Sequence, residues 1–135
     1  MKKLKECRGD FTINGAFILI LSIMLLVLAI GVLGIGMQAM KLNTITHEIV
    51  RLIELRGKVD DSAQALLENI KAENNMSEIQ MEIKASYTAG GNRIQFGDAF
   101  SVTLTYPGKL SVGGVMDVSI PLHSTVTGRS EVYWK

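Results

Sequence analysis

A chain of 135 residues with 14 basic and 13 acidic side chains has room for one folded domain. Its net charge of +1, with no basic cluster in the polar part, gives no electrostatic basis for nucleic-acid binding. The single cysteine, Cys7, excludes an intrachain disulfide.

The charge is unevenly placed. Residues 1–10 hold Lys2, Lys3, Lys5 and Arg8 against Glu6 and Asp10, whereas residues 41–135 hold ten bases and eleven acids. Between them, Phe11 to Met40 carries no charge, and within that run Ala16 to Met37 has Ser22 as its one polar side chain. Such a stretch of 22 residues makes a helix of about 33 Å, against a bilayer core of roughly 30 Å. A soluble protein of this size could not bury a helix that is apolar on every face. The basic flank stays on the cytoplasmic side, which places the following domain outside. The competing reading is a cleavable secretory signal, with Gly34 and Gly36 as the small residues before the cut. The apolar run here is longer than the ~7–15 residues usual for such signals.

The helical pattern continues past the apolar run. Leu42, Ile45, Ile49, Leu52 and Ile53 recur at helical spacing. Glu54 and Lys58 stand as a favourable i,i+4 pair, and Gly57 suits a C-terminal stop. One helix from Phe11 to Arg56 would be roughly 69 Å long. A second helix is expected over Asp61 to Glu73, opened by a capping box of Asp61 and Gln64. Ala63, Leu66, Leu67 and Ile70 form its apolar face, and Asn74-Asn75 ends it.

The period then changes to two. Ile79, Met81, Ile83, Ala85 and Tyr87 alternate with polar residues, as in a strand with one wet face. Gly90-Gly91-Asn92 reads as a turn, Ile94 and Phe96 as a short strand, and Phe100, Val102, Leu104 and Tyr106 as a further strand closed by a Pro107-Gly108 turn. Gly113-Gly114 leads into Met116, Val118, Ile120 and Leu122, where Pro121 demands an edge strand or a bulge. Thr125 to Trp134 is β-prone. The fold class expected is α+β: a long N-terminal transmembrane helix that continues outside the membrane, a short second helix and a small antiparallel sheet. The divisions are a basic cytoplasmic leader over 1–9, a transmembrane and extended helix over 10–57 (span about 16–37), and an extracytoplasmic αβ domain over 58–135.

No catalytic set is visible. His47 and His123 are far apart, whereas a metal site needs three or four converging ligands. Serine motifs such as GxSxG are missing, and the Gly-Gly pairs lack the strand–loop–helix setting of a phosphate loop. Asp60 and Asp61 are explained by a helix start. No cofactor, metal site or enzymatic activity is expected. Gly31, Gly34 and Gly36 are small enough to permit close helix–helix packing in a membrane, although glycine is common in such helices anyway.

Two segments carry a resemblance. The junction Lys5-Glu6-Cys7-Arg8-Gly9-Asp10-Phe11-Thr12, a short basic leader ending in glycine before an apolar helix, resembles the start of type IV prepilins and TadE-like pseudopilins. That resemblance implies a prepilin peptidase cut between Gly9 and Asp10, with the helix retained for packing in a filament core. The family pattern usually has glutamate five residues after the cut. Here that position is Asn14, which could hydrogen-bond to a neighbour's amine but not neutralise it. Without the resemblance, the junction is a plain basic membrane flank. Phe100 to Thr105, the segment His47-Glu48-Ile49-Val50-Arg51 with Gly57, and above all Thr127-Gly128-Arg129-Ser130-Glu131-Val132-Tyr133-Trp134-Lys135 resemble a family of small uncharacterised bacterial membrane proteins, mainly from Firmicutes and related to TadE-like proteins. Gly128, Arg129, Ser130, Glu131, Tyr133 and Trp134 are the signature positions. On physical grounds alone, that tail is a polar turn and a short strand able to bury Tyr133 or Trp134.

The resemblance implies a non-enzymatic minor pilin or pseudopilin of a Tad or type IV-like pilus or secretion machine. Its partners would be the lipid bilayer, other pilin-like or membrane assembly subunits and a prepilin peptidase. It would be a single-pass cell-membrane protein that also enters a surface filament. The alternative is an uncleaved, membrane-anchored interaction module of a secretion or conjugation complex.

Overall fold

In the computed structural model, which describes residues 6–87, 91–112, 114 and 116–135, the element order is α1 (Glu6–Arg56), α2 (Asp61–Asn74), β1 (Gln80–Ala85), β2 (Ala99–Val112) and β3 (Met116–Arg129). The fold is α+β, with a three-stranded antiparallel sheet in the order β1-β2-β3. Leader residues 1–5, Gly90 and Gly113 lie outside the described residues.

α1 is one unbroken helix of 51 residues, about 77 Å at ~1.5 Å per residue. Its most apolar window has a mean hydropathy of 3.1 and is not buried inside the protein, so by length and composition it is a candidate membrane span. Beyond it the stripe foreseen from the spacing is the core: Leu42, Ile45, Ile49 and Ile53 are buried, joined by Val50. Against them pack Ala63, Leu67 and Ile70 of α2 and Phe100, Val102 and Leu104 of β2, with Met76, Ile79 and Ile94 from the connections. Each large apolar side chain buried in this way contributes about 1.5–3 kcal/mol. Thr46, fully buried, donates its hydroxyl back to the Leu42 carbonyl at 2.7 Å.

Gly57 terminates α1 in the left-handed conformation (φ 62°), where its N–H donates to the Ile53 carbonyl at 2.8 Å. That reversal carries Lys58 off the helix face, so the expected Glu54–Lys58 pair does not form. Lys58 pairs with Asp60 at 3.0 Å, and Glu54 with Arg51 at 3.4 Å. The helix cap also differs by one residue from the expectation. Asp60, not Asp61, is the N-cap of α2 and accepts from the Ser62 N–H at 3.1 Å, while Asn75 (φ 53°) closes the other end.

β1 pairs with only the first half of β2, ending at Gln80 opposite Thr105. β2 does not turn at Pro107-Gly108. It continues to Val112, and β3 stays in register with it throughout, so that Pro107 faces Pro121. Two opposed prolines are compatible with a ladder when both ring nitrogens point outward, away from the shared hydrogen bonds. On one side β1 has already ended, and on the other β3 is the edge, so neither nitrogen is asked for a donor. The edge strand expected around Pro121 is therefore present, and the chain reverses beyond Val112, where Gly114 is in the left-handed region (φ 74°). Ile94 and Phe96 form no strand. The segment makes a single bridge between Arg93 and Lys58, with Ile94 buried and Phe96 exposed.

Candidate functional site

Two features of the molecule stand out as places for contact: the uncovered half of α1 and the clasp formed by the signature tail.

Along residues 13–30 the large apolar side chains of α1 other than the half-buried Val27 are exposed, including Phe17, Leu21, Met24, Leu25 and Leu28. The segment from Glu6 to Leu26 projects for about 32 Å at ~1.5 Å per residue. Continuous apolar exposure of this size needs lipid or other helices to cover it. The Gly9–Asp10 peptide lies near the start of α1, so a cut there would remove the helix's first four residues. The three glycines considered for helix packing, Gly31, Gly34 and Gly36, behave differently from one another. Gly31 is already occupied from within the chain, since a methyl group placed on it would lie 2.8 Å from Leu110 Cδ1. Gly34 and Gly36 face open space, with nothing within 4 Å of such a group.

The tail is not a strand. β3 ends at Arg129, and residues 130–135 wrap over the C-terminal end of α1. Gly128 permits this approach: a methyl group on it would lie 2.6 Å from Val50 Cγ1, 2.8 Å from Glu54 Oε1 and 2.8 Å from Phe100 Cζ. The Arg129 N–H donates to Glu54 Oε1 at 3.1 Å, and the Glu131 N–H to the Glu54 carbonyl at 3.0 Å. Ser130 is buried; its hydroxyl donates to the Ile94 carbonyl at 3.0 Å and accepts from the Val132 N–H at 3.3 Å. The Glu131 carboxylate accepts from Arg51 at 3.1 Å. Glu131 and Glu54 both favour the charged form of that guanidinium and raise its pKa. With side-chain exposures of 60% and 52%, the Arg51–Glu131 pair is screened by solvent and adds little to stability.

The clasp closes on one carbonyl. Gly57 O accepts the Ile94 N–H at 2.8 Å and the Trp134 indole N–H at 3.0 Å. Both lone pairs are thus used, and three segments distant in sequence meet at one point. Trp134 is held further by Gln95, whose amide accepts from the Trp134 N–H and donates to its carbonyl, each at 3.3 Å. The Arg93 guanidinium lies over the indole, 4.7 Å from its centroid. Of the two aromatic residues in the tail, Trp134 is half-buried and Tyr133 is 66% exposed.

The signature residues are therefore brought together, except that Tyr133 faces solvent. Their partners Gln95, Arg93, Ile94 and Glu54 escaped the sequence reading. The one local signal was Ile94, an apolar residue isolated in a polar connection. His47 is exposed on α1, while His123 sits on β3 with Nδ1 3.1 Å from the Thr105 hydroxyl. Among the described residues, no three His, Cys, Asp or Glu side chains are grouped so as to hold a metal ion. Two grooves on the domain are shallow: one of about 480 Å³ between Gln80, Pro107 and Pro121, and one of about 440 Å³ where Lys41, Glu48 and Glu73 line the α1–α2 junction.

Residues 18–135 match the family described as "Domain of unknown function (DUF4320)", and the chain belongs to that family. The match takes in most of α1, the whole αβ domain and the clasp. No curated protein and no solved structure matches the chain.

Proposed function

We propose that this protein is a non-enzymatic structural subunit, pilin-like or pseudopilin-like, of a Tad or type IV-like pilus or secretion machine. The observation that carries the reading is the division of α1. One rigid helix is apolar and uncovered over its first half and gripped by an αβ domain over its second. Such a helix can exchange lipid for neighbouring helices without refolding the domain it carries. Between helices in lipid there is little hydrophobic gain, so association depends on close packing at small residues. In the filament, where α1 has left lipid, Gly34 and Gly36 provide such positions, with nothing within 4 Å of an added methyl group.

The proposed orientation follows from charge. The four bases before Phe11 hold the leader in the cytoplasm, and the αβ domain lies outside. The αβ domain supplies the contacts to other assembly subunits, and a prepilin peptidase processes the junction at Gly9 and Asp10.

The test is the N-terminal peptide, identified by mass spectrometry from a native host with and without its prepilin peptidase, together with the sheared surface fraction. A peptidase-dependent start at Asp10 and recovery in sheared filaments is the expected result. An intact leader in both strains would defeat the processing reading. The membrane-anchored interaction module would then stand in its place.

A further inference from the structure

The β2–β3 hairpin and the uncharged run of α1 overlap along the chain's long axis. From its start beside Val50, β2 runs back along α1 until Leu110 rests on the bare backbone of Gly31, with the Ser111 carbonyl 3.6 Å from where a methyl group would sit. Gly108, one step earlier on the same side, lies against Gln38, whose Oε1 is buried with no hydrogen-bond partner among the described residues. Between residues 13 and 41 the half-buried positions are Val27, Gly31, Gly34, Ile35, Gln38 and Ala39. Their spacing marks a single face of the helix. All six lie inside the uncharged run from Phe11 to Met40.

Depth follows from length. A hydrocarbon core of roughly 30 Å takes about 20 helical residues. If it begins at Phe11, it ends at Ile30, and Gly31 stands at its boundary. If it spans Ala16 to Met37, Gly31 is about 9 Å inside it at ~1.5 Å per residue. Under either placement Leu110 is level with lipid, and β2 continues two residues beyond it, about 7 Å at ~3.4 Å per residue.

The composition of the hairpin tip agrees. From Leu110 to Leu122 the one charged residue is Asp117, among Leu110, Val112, Val115, Met116, Val118 and Ile120. Val118 is paired with Leu110, and Ile120 with Gly108. Directly opposed residues share a sheet face, so both lie on the side that meets α1. One helix is too narrow to cover a two-stranded ribbon. Val118 remains 42% exposed and Ile120 37%.

We propose that the tip of this hairpin is a second membrane-contacting element, seated in the lipid interface beside the point where α1 leaves the bilayer, with Val118 and Ile120 against the lipid. The strand edges limit its depth. β3 has no outer neighbour, and β2 beyond Thr105 has none on the β1 side, so the tip carries unpaired backbone groups among the described residues. Open edges are costly in hydrocarbon, which favours the shallower span, residues 11–30 rather than 16–37. Leu110 and its partner Val118 then lie at the hydrocarbon boundary, and only the last ~7 Å of β2 reaches past it. Two contacts, helix and hairpin, fix the tilt and rotation of the αβ domain above the membrane. This rests on α1 spanning the bilayer, not on filament assembly.

The test uses the full chain with Cys7→Ser, reconstituted in phosphatidylcholine vesicles. An environment-sensitive fluorophore is placed singly on Val118→Cys, Leu21→Cys or Thr125→Cys, and the vesicles contain lipids with nitroxide quenchers at shallow or deep positions. The expected result is blue-shifted emission at positions 21 and 118, with loss of signal to deep quenchers at 21 and to shallow quenchers at 118. Position 125 stays water-like and unquenched. A water-like, unquenched label at 118 beside a quenched one at 21 would overturn the hairpin contact alone. A blue-shifted label at 118 that no lipid quencher reaches would mean that protein covers the tip, which also overturns it. An unquenched label at 21 removes the membrane span and the proposal together. If Val118→Cys disturbs the Trp134 emission of the folded domain, Ile120→Cys serves as the second probe.

Discussion

Replacing Gly57 by alanine tests the clasp at its narrowest point. The residue has φ 62°, where a non-glycine residue costs roughly 1–2 kcal/mol. Its new Cβ would lie 2.5 Å from Val132 Cβ, 3.0 Å from the Trp134 indole nitrogen and 3.1 Å from the Ser130 hydroxyl. Overpacking of that kind costs about 1–3 kcal/mol more, because the tail must move or break its bonds to Gly57 and Ile94. A total loss of about 2–5 kcal/mol is a large share of the ~5–15 kcal/mol that holds a domain folded. For a unit of this size, 1 kcal/mol corresponds to about 4–8 °C in Tm. Trp134 is the chain's one tryptophan, and its indole is part of the clasp, so its fluorescence reports both the midpoint and the local packing. The full chain in detergent is melted beside Gly97→Ala, which has a positive φ (83°) but open space around it. Gly97→Ala should show the backbone penalty alone. If Gly57→Ala is no less stable than Gly97→Ala, and its Trp134 emission is unchanged, the tail does not grip the helix end as described.

Ser130→Ala removes one hydroxyl that serves both the Ile94 carbonyl and the Val132 N–H. A loss of about 1–3 kcal/mol in denaturant melts is expected, and an unchanged midpoint would refute a structural role for that hydroxyl. Asp60 gives a pH prediction. Bonds from Ser62 and then Lys58 hold its carboxyl down from 3.8 to about 2. Because the folded value lies below the unfolded one, the stabilisation is fully present above the unfolded value of 3.8 and is lost as the pH falls through about 2. Asp60→Asn keeps a capping oxygen but not the charge. The Tm gap between wild type and Asp60→Asn should therefore be widest near neutrality and shrink in acid, and a gap independent of pH would contradict the assignment.

Where one local pattern dictated an outcome, the sequence was readable. The apolar run and the Leu42–Ile45–Ile49–Ile53 stripe made α1, and the alternation through Phe100, Val102 and Leu104 made the core face of β2. Pro107-Gly108 misled because its turn chemistry is local, whereas its actual place depends on where β1 stops and on Pro121 across the ladder. The clasp was hidden for the same reason. The signature tail could be recognised as a pattern, but nothing near it says that its partners are a helix end 75 to 80 residues earlier and an isolated isoleucine. Glu54–Lys58 looked like a helical pair until the left-handed Gly57 turned Lys58 toward Asp60.

The two contact regions are mechanically one. β3 runs without interruption from the hairpin tip to Arg129, and the clasp begins at the next residue. Gly31 lies on α1 and Gly57 directly after its last residue, 26 positions away or about 39 Å at ~1.5 Å per residue. The ribbon is thus fastened to α1 at both ends, and the domain cannot rotate about the helix without breaking one fastening. This links the two proposals. A helix drawn out of lipid into a filament would carry the hairpin tip with it, leaving Val118 and Ile120 without their lipid cover. A filament built from this subunit must then cover that face with a neighbouring helix. Labels on Val118 should pass from lipid-quenched in the membrane to lipid-inaccessible but still blue-shifted in sheared filaments. Water-like emission there would separate the hairpin's membrane role from any role in assembly.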